Sequence, residues 1–113
     1  MNRVDPAALR RKSCVPCRGG IPPLTADQAR EYHAAVPAWT LSSDTTRIAR
    51  EFTFKGFTEA MAFVNRVAEL AEAEQDHPDL TIHWNKVGLV LWTHAIGGLH
   101  ENDFVMAAKI DRV

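Results

Sequence analysis

Between residues 57 and 74, apolar side chains recur at three- and four-residue steps, and short alternating segments lie on either side. Phe57, Ala60, Met61, Val64, Val67, Ala68 and Ala71 make one stripe, widened by Phe63 and Leu70, while Asn65, Arg66, Glu69 and Glu72 lie off it. That spacing predicts an amphipathic helix. Each large side chain it buries contributes roughly 1.5–3 kcal/mol, so the helix must lie on an apolar surface. The flanking segments supply one. Trp39–Leu41 and Ile48–Phe54 alternate as half-buried strands do, with turn chemistry at Ser42–Thr45 between them. Arg50 falls on the apolar face of the second segment, which predicts that this strand nears a sheet edge there. Pro78 ends the helix, and Leu80–Trp84 and Lys86–Thr93 form a second pair. Val87, Leu89 and Leu91 point one way; Val90, Trp92 and His94 point the other.

Two further helices frame this unit. Thr25 and Gln28 have the spacing of a capping box, opening a helix that runs to about Val36 and stops at Pro37. After Gly97 and Gly98, a helix over about Glu101–Asp111 is apolar nearly all round its centre and needs cover on more than one side. The order α-β-β-α-β-β-α predicts an α+β domain: a four-stranded antiparallel sheet with three helices on one face. Its open edges predict pairing between copies of the chain, as a homodimer or homotetramer.

With 113 residues, the chain is long enough for one modest core. Its net charge of −1 conceals an asymmetry. Residues 1–23 carry Arg3, Arg10, Arg11, Lys12 and Arg18 against the single acid Asp5, and end in Gly19, Gly20, Ile21, Pro22 and Pro23. They read as a solvated, flexible basic tail, with the folded domain over 24–113. The basic groups lack interleaved aromatics and a groove-reading motif, which argues against nucleic acid. No apolar run has the length of a membrane span, and no apolar segment follows the N-terminal charges as in a secretory signal. A cytoplasmic chain is expected, with no membrane partner. Cys14 and Cys17 form the one CxxC pair. It is compatible with a redox pair, with half of a zinc site that His33 or a second subunit would complete, or with an inert turn.

The candidate chemistry lies in His77 and His94. Imidazole is the side chain that exchanges protons near neutrality. His77 follows Glu72 and Asp76 at the end of the long helix, held there by Pro78, and His94 ends the last strand. Spacing alone does not bring the two together, and each could equally cap a helix or satisfy a backbone carbonyl.

A resemblance adds to this reading. Glu72, Asp76, His77, Pro78, Asp79 and Leu80, then Trp84, Asn85, Lys86 and Val87, then Leu91, Trp92, Thr93 and His94 closely resemble the pterin-4a-carbinolamine dehydratase family. So do Gly97, Gly98, Leu99, Glu101, Asn102 and Asp103, and Ala107 to Asp111. The run Cys14, Val15, Pro16, Cys17, Arg18, Gly19 and Gly20, followed by Pro23 and Leu24, is similar to the leader of bacterial members.

The resemblance implies a four-stranded antiparallel sheet with three helices on one side, in dimers or tetramers. It implies loss of water from a 4a-hydroxytetrahydropterin, regenerating quinonoid dihydropterin for aromatic amino acid hydroxylases, with no metal and no organic cofactor. Such chemistry suits an acid/base site, since the leaving hydroxyl must gain a proton and a ring N–H must lose one. Carried over, the catalytic set is His77, His94, Glu72, Asp103 and Asp76. The pterin would lie between Gln75, Asp76 and His77 on one side and Trp92, Thr93 and His94 on the other, with Pro78, Trp84 and Ala95 completing the substrate contacts. Asp76 is a departure, since the family usually has a second histidine there. The roles expected are His77 as acid and His94 as base oriented by Asp103 or Glu72, or the two histidines in the reverse roles, and Asp76 as an anchor for the substrate's polar edge. Members of this fold also act without catalysis, as assembly factors or dimerisation partners, and the missing histidine keeps that reading in play.

Overall fold

The computed structural model describes residues 4–15 and 19–113. Helix α1 spans Pro6–Arg11 and α2 Ala26–His33; strands β1 (Thr40–Leu41) and β2 (Ile48–Thr53) follow. Helix α3 covers Phe57–Glu74, strands β3 and β4 cover Asp79–His83 and Lys86–Leu91, and α4 covers Glu101–Ile110. The four strands form one antiparallel sheet in the order β1-β2-β4-β3. Since β2 and β3 both run antiparallel to β4, they are parallel to each other, and α3 is the crossover between them.

Register decides which strand residues are buried. Ile48 pairs with Leu91, Arg50 with Leu89 and Phe52 with Val87. Ile48, Val87, Leu89 and Leu91 are buried on that face. Against it lie Ala60, Phe63, Val64, Val67 and Ala71, the stripe of α3. Phe63 packs on both Phe52 and Phe54. Strand β1 pairs only with Ile48 and Ala49, so Arg50 does stand where β2 borders an open edge. Its guanidinium pairs with Asp111 at the end of α4, and the same carboxylate accepts from the Trp39 indole N–H at 2.8 Å.

Helix α4 is buried on every side except at Glu101 and Lys109. It touches α2, α3 and α1. The last of these revises the expectation for the N-terminal segment. Residues Pro6–Arg11 are a short helix docked on α4 rather than solvated tail, with Leu9 only 2% exposed in the main core. Asp5 caps it by accepting from the Ala7 N–H, and Pro6 occupies the first turn, where its missing N–H costs nothing. There are thus four helices instead of three among the described residues. Cys17 lies outside the described residues, so neither the disulfide nor the zinc reading of Cys14–Cys17 is taken further.

Candidate active site

Helix α3 ends at Glu74, four residues before Pro78. Gln75 adopts a left-handed conformation (φ 54°), and its N–H and that of Asp76 close back onto Ala71 and Glu72 carbonyls. This turn releases Asp76 and His77 from the helix. The opposite wall comes from the end of β4. There Thr93 pairs with Gly98, closing a short loop over His94–Ile96 with Gly97 at φ 64°. Gly98 must be glycine: a Cβ there would lie 2.7 Å from Pro23.

Between these two turns is an open hollow of about 450 Å³, lined on the α3 side by Gln75, Asp76, His77, Pro78 and Asp79 and on the β4 side by Trp92, Thr93 and His94. Val15 and Asn102 complete it. The two histidines that sequence spacing left apart therefore line one hollow, of a size usual for small-molecule sites.

Each is held differently. His77 Nε2 pairs with the Glu72 carboxylate. The His94 ring stacks on Trp92 (centroids 3.8 Å apart), and the Arg47 guanidinium lies 4.1 Å from the Trp92 centroid. Both cannot fit on one face at those distances, so Trp92 is sandwiched between His94 and Arg47. Asp79 accepts from its indole N–H at 3.2 Å. Among the described residues no hydrogen bond joins Asp103 or Glu72, the expected orienting carboxylates, to His94. Glu72 is taken by His77. Asp103 accepts from Thr93 Oγ1 and the His100 N–H, both at 2.9 Å, as part of a capping box for α4. It reaches His94 only through the backbone of Thr93.

Burial governs the carboxyl groups behind the hollow. Asp103 is fully buried, and its Oδ1 has no hydrogen-bond partner among the described residues. Burial pushes its pKa up to about 7, against the pull of its hydrogen bonds to His100 and Thr93, with the Asp76 charge adding to the rise. Asp76 is also raised, mainly by burial, although the Cys14 thiol, His77 and His100 oppose this. Glu74, one turn away, is held below its ordinary value by the Lys109 ammonium, 2.8 Å from its Oε2.

Two residues expected to touch substrate stand outside the lining. Trp84 sits in the β3–β4 turn, 66% exposed, because β3 runs away from the hollow after Asp79. Ala95 lies in the loop beyond His94, with its carbonyl towards Gly19. Sequence reasoning missed Val15, Asp79 and Asn102 as lining residues. Asn102 stands within the Glu101–Asp103 motif, but a side chain at the start of a helix reads first as a capping group.

A sequence model of the family described as "Pterin 4 alpha carbinolamine dehydratase" matches residues 22–113. The chain belongs to the pterin 4 alpha carbinolamine dehydratase family. A protein of Methylococcus capsulatus named "Putative pterin-4-alpha-carbinolamine dehydratase" is 48% identical over 110 residues, covering 97% of this chain and 96% of its own. One of the same name from Halorhodospira halophila is 47% identical over 104 residues, 92% of this chain and 95% of its own. A crystal structure described as transcriptional coactivator/pterin dehydratase from Brucella melitensis superposes with a TM-score of 0.75 at 32% identity, covering 80% of this chain and 96% of that one.

Proposed function

We propose that this chain is a hydro-lyase that removes water from a 4a-hydroxytetrahydropterin to give quinonoid dihydropterin, with His77 and His94 as its proton-transfer groups. The observation that carries this is the shared hollow: two imidazoles on opposite walls, with a half-buried carboxyl group, Asp76, beside one of them. The pterin lies between the Asp76–His77 turn and the Trp92–His94 strand end. His77, with Nε2 engaged by Glu72, gives a proton from its other ring nitrogen to the departing 4a-hydroxyl, which leaves as water. His94, held flat by Trp92, takes the ring N–H proton. Asp76 anchors the polar edge of the pterin. Asp103 supports Thr93 from behind and acts as a positioning group. The protein would work in the cytoplasm beside an aromatic amino acid hydroxylase, as a homodimer or homotetramer paired through its open sheet edge.

General acid catalysis is worth roughly 10²–10⁴-fold, so His77→Ala should lower kcat for freshly made carbinolamine by that order while leaving the fold intact. Turnover at the wild-type rate would remove His77 from the scheme. The Brucella protein's description joins a coactivator role to the dehydratase one, which supports a second reading: a binding or assembly factor without turnover. Pterin binding by wild-type protein with no dehydration would favour it.

A further inference from the structure

The segment at Cys14 and Val15 is tied to the hollow by more hydrogen bonds than its composition suggests. The Cys14 N–H donates to Glu74 Oε1 at 2.8 Å, and the Val15 N–H donates to Asn102 Oδ1 at 3.0 Å. Asn102 Nδ2 donates back to the Val15 carbonyl at 2.6 Å. Asn102 thus holds both backbone groups of Val15, as a neighbouring strand would. These bonds set the Cys14 thiol between Asp76 Oδ2 (3.6 Å) and the Asn102 carbonyl (3.7 Å), and Val15 into the lining beside Asp76. The thiol is itself pushed well above its usual range by burial and by the Asp76 and Glu74 charges, so it stays protonated and serves as a donor, not as a nucleophile. Further along, Gly19 passes beside the Ala95 carbonyl and the Leu24 N–H donates to the Leu99 carbonyl at 2.9 Å.

We propose that Cys14 and Val15 are a fixed wall of this site, with Cys14 a positioning residue that donates its S–H to Asp76 and turns that carboxyl group towards the hollow. Position 76 is then served by a pair, a carboxyl group and the thiol that holds it. The titratable groups facing Asp76 are Cys14 from the leader, Glu74 and His77 from the end of α3, and His100 and Asp103 from the start of α4.

The inference rests on the dehydratase reading only for its kinetic arm; its first readout is independent of turnover. The full-length protein is labelled with ¹³C and the Asp76 carboxyl is titrated by NMR. A hydrogen bond to the charged form lowers a carboxyl pKa and burial raises it, so two variants should move the midpoint in opposite directions. Cys14→Val keeps the site dry but removes the donor, and the midpoint rises by about 0.5–1 unit; Cys14→Ser, which keeps a donor, returns it to the wild-type side. Asn102→Ala frees Val15 and admits water, and the midpoint falls. In the kinetic arm, Asn102→Ala raises KM for the carbinolamine more than it lowers kcat. A midpoint in Cys14→Val equal to that of the wild type would overturn the positioning role. Wild-type protein without turnover, but with the opposed shifts present, would sink the dehydratase reading and leave the wall standing.

Discussion

Asp103 and Asp76 show how burial sets the chemistry of single residues here. Both carboxyl groups lie at the junction of α3, α4 and the end of β4, and burial raises both. Asp103 is the stronger case, with one oxygen holding Thr93 and the His100 N–H and the other buried without a partner among the described residues. The folded chain keeps the Asp103 proton to about pH 7, whereas an unfolded chain releases it near 4. The folded state therefore binds more protons between those values, and this group's contribution to stability falls as pH rises across that window. Asp103→Asn keeps the shape and cannot ionise. Its stability relative to wild type should grow between pH 4.5 and 7.5, by up to about 3 kcal/mol, read from urea unfolding at several pH values. A difference that stays flat with pH would show that Asp103 ionises normally. Little of this was legible in the sequence, where Asp103 is one acid in a helix start. His77 and His94 were legible as candidates, because each sits beside a residue or element end that fixes the chain. Their meeting was not, since it depends on the left-handed turn at Gln75, a residue with no obvious reason to adopt it.

Among the elements, the long helix and the four strands were readable because each repeats its pattern. The stripe of α3 and the alternation of Val87, Leu89 and Leu91 stand within a residue or two of where periodicity put them. Strand β4 stops at Leu91 rather than Thr93 because Thr93 turns aside to pair with Gly98. Helix α1 failed to register for the opposite reason. Six residues with one deeply buried side chain cannot display a period, and the basic charges around Leu9 gave the segment the composition of a tail. The clue lay elsewhere, in a last helix apolar on too many sides for the cover then available. Asp5 and Pro6, a good cap and a good first residue, were the local signal. Leu9 makes the point testable. Leu9→Ala should cost about 2–5 kcal/mol, the range for emptying a buried leucine site, as measured by chemical denaturation. A loss below about 0.5 kcal/mol, typical of surface positions, would return α1 to the status of an appendage. The same docking carries the chain from α1 to Cys14, so a loose α1 should also weaken the wall of the site.

At the scale of the whole molecule, the sheet has two unlike edges. On one side β1 is two residues long, and beyond it Arg50 closes the border of β2 with an ion pair to Asp111. On the other, all five residues of β3 are exposed, with Leu80 and Ile82 partly uncovered on the helix side. Edge strands of this kind are templates for pairing, and a charged side chain blunts them. If β3 joins two copies, Ile82→Lys should shift the protein towards monomer in sedimentation velocity, with little change in its unfolding midpoint. The same sedimentation profile as wild type would rule out β3 as the joint. The inequality of the edges also bears on how far such pairing could run. A sheet with two equivalent long edges can add copies without end and grow into a fibre. One with a single long edge uses it up in the first encounter, because β3 against β3 is a two-fold contact that leaves only the two-residue borders facing outward. Were β3 the joint, the shortness of β1 would act as a chain terminator, limiting growth by strand addition to a pair.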